Sequence, residues 1–516
     1  MSRDSTETSS FDVAVVGGGA AGMWTALCAA EAGARTCLIS RKPLVESASF
    51  HAQGGLAAAL EPGDSPAQHA ADTLAAGRGL CAPETVRVLC EEAPARLEEL
   101  LDRGFRFDRR EDGSLALGLE GGHTRRRIVH SGGSQTGREL TSRLATLVGS
   151  QPGLVTMEGA SAVALAGVGA ERGDNVERCG GVVTDRGTVR AAATVLATGG
   201  AAALWSRTTN PWGAIGAGPV LAHAAGAELA DLEFCQFHPT AIALPGAELD
   251  GSLITEAVRG EGALLLDGTG ERFTDELAPR DAVTAAILDR MRADGTDHVQ
   301  LDLRPVDPGH FPSIFESLSR AGFDARREPV PVAPAAHYMM GGIAVDTDGL
   351  SSLSGLFAVG ECSCNGLHGA NRLASNSLSE CFVFGRRAAL AAATEAAAGV
   401  AGRSVAGGQA GDSADAGGDE AAHEAGWRFK PPIQSTREAV WRLAGPVRRP
   451  EELRELLAEP YPLAAAIAAS ALARRESRGG HRRADCPGID PDLDGMHCVY
   501  RADGELEWRR WPSATA

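Results

Sequence analysis

The stretch FDVAVVGGGAAGMWTALCAAEAGARTCLIS, residues 11–40, constrains the fold more than any other. FDVAVV (11–16) reads as a short β-strand and GGGAAG (17–22) as a glycine turn. MWTALCAAEAGA reads as a helix closing at Gly33, and RTCLIS (35–40) as a second strand. Gly17 permits the tight turn. Gly19 lets backbone approach a pyrophosphate at the N-terminus of a helix opened by Ala20 and Ala21, and Gly22 lets helix and strand pack closely. Alone, such a GxGxxG run is weak; its place at the start of a βαβ unit makes it a dinucleotide site. A nicotinamide-dinucleotide site would end the second strand on Asp or Glu, but here the strand ends on Ser40, with Lys42 beyond it. Ser40 can still bond a ribose hydroxyl, whereas Lys42 either reaches a phosphate or is merely solvated. Two later strands, ATVLATGG (193–200) and GLFAVGE (355–361), run into glycine where an extended dinucleotide would be cradled. They favour FAD and single out Thr198, Gly199 and Glu361, the last as an acceptor for ribityl hydroxyls. NSLSECFVFGRRAA (376–389) reads as a helix whose first residues, Asn376, Ser377 and Leu378, lie near these turns. Its positive end would stabilise negative charge on a reduced flavin ring.

The remaining sequence bounds the class. A chain of 516 residues is long enough for two or three domains and a large core. Its net charge of −18 opposes nucleic acid and anionic membrane surfaces, so an anionic substrate would need arginines gathered locally. No apolar run is long enough to span a bilayer, and the polar MSRDSTETSS start lacks the apolar region of a secretory signal. The 11 cysteines include no CxxC, and the lone Cys362–Cys364 pair is weak evidence for a metal. No metal site is expected; scattered reduced thiols suit a cytoplasmic protein. Residues 235–340 change texture, with Pro-rich turns and several His and Arg, as if inserted between two halves of one domain. Residues 391–422 are low-complexity Ala/Gly/Asp, and 433–480 return to helical apolar spacing.

The segments AQGGLAAAL, TTNP, LEFCQFHPT, LITEAVRGEGA, LAPRD, PAAHYMMGGI, LHGANRLASNSLSE and ESRGGH occur in this order. Together they resemble the succinate dehydrogenase/fumarate reductase flavoprotein superfamily, and most closely its aspartate-oxidising branch. The resemblance implies an α/β fold: a Rossmann-like FAD-binding domain interrupted by an α+β capping domain and followed by a small C-terminal helical domain. The implied divisions are 11–235 and 339–395 for the FAD-binding domain, 236–338 for the cap, 396–428 for a flexible linker and 429–516 for the C-terminal domain and tail. The implied reaction is oxidation of L-aspartate to iminoaspartate, with hydride passing from Cα to flavin N5. Oxygen or fumarate would reoxidise the flavin, and the product would feed quinolinate formation on the way to NAD; a quinolinate synthase is a candidate partner. Two other readings stay open: a soluble fumarate reductase or succinate dehydrogenase flavoprotein subunit, and an FAD-binding interaction module.

A C4 dicarboxylate needs two anion clamps, for which the planar arginine fork is suited. The resemblance points to Arg280 and Arg372, with His238 and His337 as further donors and Thr255 as a substrate contact. In fumarate-reducing relatives the arginine matching Arg280 also moves a proton, and the pair matching Glu256 and Arg259 forms its relay. Their spacing of three puts them on one helical face, where they could equally be an ordinary ion pair. Glu120, in LEGGHTRRRIVHSGG, matches a glutamate that engages the α-amino group of aspartate. An ionised carboxylate there would pair with an ammonium and repel succinate. Arg125, Arg126 and Arg127 read as a solvated loop, or one of them touches substrate or cofactor.

The run ESASFHAQGG (46–55) places His51 where a covalent flavin anchor is tempting. In covalent relatives the linked histidine lies five residues before the Gln, and Ala48 stands at that place here. FAD is therefore expected to be held without a covalent bond by Ser49 and the backbone of Gln53, Gly54 and Gly55, leaving His51 as a loop or isoalloxazine-edge contact. The family's Gly-Asp-Gly after TTNP is broken by Ala217, which removes one expected nucleotide contact.

Overall fold

The computed structural model describes residues 9–168, 178–406 and 427–511. Its central sheet has seven strands, built around Ser9–Val16, which pairs in parallel with Thr36–Ser40 on one side and Gly187–Leu196 on the other. Leu154–Glu158 extends one edge, and the antiparallel strands Arg178–Thr184 and Ala162–Val168 extend the other. The Gly187–Leu196 strand changes partner along its length, pairing first with Arg178–Thr184 and then, at Thr194–Leu196, with Leu356–Ala358. Val13–Val16 are all buried, as a strand covered on both faces requires. The helix Ala20–Glu31 covers one face and is buried at every residue up to Ala30. It can lie this close because Gly17 takes φ +128° and because a Cβ on Gly22 would collide with the Gly17 carbonyl.

A second sheet of four antiparallel strands, in the order Cys235–Ile242, Val330–Met339, Val299–Asp302 and Leu264–Leu266, carries the helices Arg280–Asp294 and Pro312–Arg320. It has its own core, including Ile242, Val283, Ile287, Leu301 and Val332. A third sheet of five short strands joins Leu229–Ala230, Gly342–Ala344 and Ser363–Cys364 to a hairpin, Met496–Tyr500 and Leu506–Arg510. The C-terminal region therefore contains strands as well as the helices Gln434–Leu443, Pro450–Leu456 and Pro462–Ala473.

The helix that starts at Asn376 runs to Ala406, well into the stretch expected as a linker from 396. Alanine-rich sequence without proline continues a helix readily, here across Gly399 and Gly402; the rest of that expected linker, 407–426, lies outside the described residues. This helix packs on Ala20–Glu31, with Trp24 edge-on to Phe382 and its indole N–H donating to the Phe382 carbonyl at 2.9 Å. Among the described residues no helix is long and apolar enough to cross a membrane.

The C-terminal helices are tied in by buried polar groups. The Trp205 indole donates to the Ala444 carbonyl and the Tyr461 hydroxyl to that of Ile215. Arg474, fully buried, donates to Glu233 at 2.6 Å and to Glu476 at 2.8 Å. Removing Arg474 strands Glu233 without counter-charge, while Glu476 keeps Arg478 at 2.9 Å; breaking such a buried pair costs about 3–5 kcal/mol. Arg474→Met should lower the thermal midpoint by many degrees; a midpoint unchanged in calorimetry would contradict this account.

Candidate active site

A cavity of about 590 Å3 extends from the first glycine turn to the start of the Asn376–Ala406 helix. Its dinucleotide end is lined by Gly17, Gly19, Ala20, Ala21, Ser40 and Lys42, and further on by Ser49, Gln53, Gly54, Gly55, Thr198 and Gly199. Glu361, Ser377 and Leu378 also face it. The Ser49 hydroxyl accepts from the Ala20 N–H at 3.1 Å, so it sits at the helix N-terminus. The Ser40 hydroxyl donates to the Lys42 carbonyl at 2.6 Å, and Lys42 itself stands 3.7 Å from Glu46 on the surface. Glu361 accepts from the Met339 N–H at 2.9 Å, and burial pushes its pKa up to about 7. His51 ends a short turn, Ala48–His51, at the exposed lip of the cavity, and Ala217 lines the wall with a methyl group.

Two residues expected at the cofactor do not line the cavity. Gly22 faces the glycine turn, as its packing role requires. The Asn376 side chain turns away: His69 Nε2 lies 2.8 Å from its carbonyl oxygen, and its amide donates to Thr73 Oγ1 at 3.1 Å. Its neighbour Ser375, held at φ +60°, faces the cavity instead. Arg41, between Ser40 and Lys42, also lines the wall and was missed; its only signal was its position at the end of the second strand.

At the other end the cavity is lined by Glu120, His238, Thr255, Glu256, Arg280, His337 and Arg372. Arg280 opens its helix and donates to Glu256 Oε2 at 2.6 Å and to Gln236 Oε1 at 3.0 Å. Arg259 lies outside the lining, fully buried behind Glu256. Its Nη2 is 2.9 Å from Glu256 Oε1 but misaligned for a hydrogen bond, so the pairing is one of charge. Burial lowers the pKa of Arg259. Arg372 meets no carboxylate within ion-pair distance among the described residues. Its Nη1 donates to Ser377 at 3.1 Å, its Nε is unpartnered, and its guanidinium lies 4.4 Å over the Tyr338 ring. Burial and the charge of Arg280 bring its pKa down to about 10. Tyr338 is held by donating to Glu380 at 2.9 Å.

His238 and His337 stand edge to face at 5.0 Å. Burial and the charge of Arg280 hold both pKa values well below the ordinary imidazole range, so both rings are neutral. The Thr240 N–H donates to His238 Nδ1 at 3.2 Å, which puts the ring proton on Nε2, an atom with no protein partner. His337 Nδ1 contacts the Thr209 hydroxyl at 2.7 Å.

Glu120 enters from a glycine-rich loop. Gly121 brings this loop so close to Glu256 that a Cβ would strike its Oε1. Glu120 Oε2 accepts from the Ser375 hydroxyl at 2.6 Å, while Oε1 has no hydrogen-bond partner and lies 3.4 Å from His130 Nε2. Burial pushes the Glu120 pKa up, but His130, the Ser375 hydroxyl and the charge of Arg280 outweigh it and hold it at about 2. The expectation for Arg127 is corrected. It is fully buried, forked onto Asp64 at 2.9 Å and paired with Asp72 at 2.5 Å, and it neither meets solvent nor lines the cavity. Sequence reading missed Gln236, Tyr338, Ser375 and His130. The first three sit inside quoted motifs, which was the available signal; His130 lies in the quoted Glu120 segment but carried none of its own.

Residues 12–378 match the family described as FAD binding domain, and residues 438–510 match the fumarate reductase flavoprotein C-term family. Fold and cavity are those of an FAD-dependent flavoprotein oxidoreductase. Among solved structures, E. coli quinol fumarate reductase superposes with a TM-score of 0.83 at 30% identity, covering 99% of this chain and 98% of that one. Mycobacterium smegmatis Sdh1 gives 0.81 at 29% identity, covering 99% and 96%. In sequence, the L-aspartate oxidase of Mesorhizobium japonicum is 44% identical over 511 residues, 92% of each chain. That of Caulobacter vibrioides is 42% identical over 518 residues, 95% of this chain and 96% of the relative. The chain belongs to the L-aspartate oxidase family.

The cavity fits FAD. A glycine turn opens onto a helix N-terminus, and Gln53 Oε1 and Thr198 Oγ1 face the same space buried and unpartnered.

The depressed Glu120 pKa has a stability consequence. The carboxyl sits below its ordinary 4.5, so its contribution is fully present above that value and is lost as pH falls toward 2. Thermal unfolding of Glu120→Gln should depend less on pH than that of the wild type in this acid range; parallel pH dependences would contradict the assignment.

Proposed function

We propose that this protein oxidises L-aspartate to iminoaspartate at the end of the cavity where Arg280, Arg372 and Glu120 converge. The observation that carries the reading is Glu120 Oε1: a buried, ionised carboxylate oxygen with no hydrogen-bond partner, in a space otherwise dominated by guanidinium groups. Two cationic forks suit the two carboxylates of a C4 diacid, and one anion suits an α-ammonium. Succinate offers the same two carboxylates but nothing for Glu120. A succinate dehydrogenase or fumarate reductase reading therefore gives the unpartnered Glu120 Oε1 no ligand group to meet.

In this reading Arg280 and Arg372 bind one carboxylate each. His238, neutral with its proton on Nε2, donates to the bound diacid, and His337 and Thr255 complete its surroundings. Tyr338, stacked under Arg372 and fixed by Glu380, orients that clamp. FAD, when bound without a covalent link, supplies the acceptor for the two electrons and the hydrogen of Cα. Glu256 and Arg259 extend inward from Arg280, an arrangement that supports proton movement to and from its guanidinium when fumarate is the electron acceptor. Oxygen is the other acceptor we propose, and iminoaspartate would pass to quinolinate formation in NAD synthesis.

An anaerobic titration tests this directly. L-Aspartate should bleach the flavin absorbance and succinate should not; bleaching by succinate alone would overturn the reading. Arg280→Leu should lower turnover by more than about 10²-fold with FAD still bound, and near-wild-type turnover would remove Arg280 from the site. Acid precipitation should release the flavin into the supernatant, since Ala48 cannot form the covalent link; flavin retained in the pellet would contradict this.

A further inference from the structure

His130 is a titratable group that this mechanism leaves unused. It follows the strand Ile128–Val129, and its ring packs on Gly118 of the neighbouring strand, where a Cβ would press against it. Its Nε2 lies 3.4 Å from Glu120 Oε1, and both atoms are buried without a hydrogen-bond partner. Glu120 lines the cavity and His130 does not, while the His130 side chain is 15% exposed against 2% for Glu120. The two groups thus form a row from the cavity through Glu120 and His130 to the surface.

The chemistry needs such a row. Aspartate arrives as an α-ammonium, and the nitrogen must lose a proton before its lone pair can stabilise the loss of a hydride from Cα. Glu120 attracts the ammonium, but a carboxylate is a poor resting place for a proton near neutrality. An imidazole behind it is a far better one.

We propose that His130 accepts the α-ammonium proton through Glu120 and delivers it to solvent, which makes it the proton exit of the amine half of the reaction. This rests on the aspartate reading of the site. One ammonium N–H bond breaks and leaves its electron pair on nitrogen. The proton passes to Glu120 Oε1 and on to His130 Nε2, and the imidazolium so formed loses a proton to water from Nδ1. Glu120 ends as the carboxylate it began as, and solvent exchange returns the imidazole to its starting tautomer. The 3.4 Å separation is long for a hydrogen bond, and contacts of this kind tighten when substrate is bound. The charged groups around the pair have other ties. Arg280 is bound to Glu256, and the Asp108 carboxylate accepts from the N–H groups of Gly132 and Gly133. Burial leaves His123 neutral on the far side, its Nε2 against the Ala374 carbonyl.

The test is single-turnover flavin reduction by L-aspartate, without oxygen, in wild type, His130→Gln and His130→Phe across a range of pH. Reduction by both variants should be about 10²-fold slower near neutrality. The deficit should narrow as pH rises and shrink on addition of imidazole, with flavin content per chain unchanged. Rates within about twofold of wild type at every pH, or a deficit indifferent to both pH and imidazole, would overturn the proposal. If wild type itself is not reduced by aspartate, the aspartate reading fails first, and this assignment falls with it.

Discussion

Bringing Arg280 and Arg372 into one buried cavity is the electrostatic constraint from which most of the surrounding arrangement follows. Two guanidinium groups this close raise each other's cost of burial, and each needs compensation that still leaves its donors free for a ligand. Arg280 has a carboxylate, Glu256, whose other oxygen faces Arg259. Arg372 has none at contact distance and rests on the face of Tyr338, itself anchored on Glu380. Compensation for Arg372 is thus indirect, and its charged head is left free for an anionic ligand. Arg280 also joins His130 and Ser375 in making Glu120 acidic, and adds to burial in keeping His238 and His337 neutral, so one guanidinium bears on the protonation of three neighbouring groups.

The two arginines come from different parts of the chain, Arg280 from the helix on the four-stranded sheet and Arg372 from the turn before the long helix Asn376–Ala406. The site exists only while these parts are pressed together. Next to Arg280, Asp281 is gripped by both arms of Arg78 at 2.7 and 2.9 Å. Gln236 bridges directly, accepting from Arg280 and donating to the Arg372 carbonyl at 2.8 Å. Substrate with a carboxylate at each arginine would add a third tie, so ligand binding and closure of the cavity are thermodynamically linked.

What could be read in the sequence was what short-range spacing encodes. The strand–turn–helix from Phe11 to Glu31 is local, and its glycines announce both the turn and the close packing of Gly22. The quoted motifs carried most of the cavity-lining residues, because each is a short segment that borders the cavity. Long-range pairing was not legible. Arg127 looks like one of three loop arginines until Asp64 and Asp72, each more than fifty residues away, are found around it. Asn376 sits in a cofactor motif yet serves His69 and Thr73. The C-terminal hairpin has ordinary alternating strands, and nothing in them names Leu229–Ala230 as their partner.

That hairpin also bears on how the protein is made. Asp231 waits for His497, 266 residues further along, whose Nδ1 lies 2.6 Å from its carboxylate. Leu229–Ala230 likewise pairs with a strand made long after it, Met496–Tyr500. Until then one edge of Leu229–Ala230 is unpaired and Asp231 lacks its imidazole. A nascent chain holding both Arg280 and Arg372 therefore still presents an unsatisfied strand edge, the kind of surface that chaperones engage. The sheet beside the cavity is thus completed by a hairpin that lies beyond every residue proposed for the chemistry.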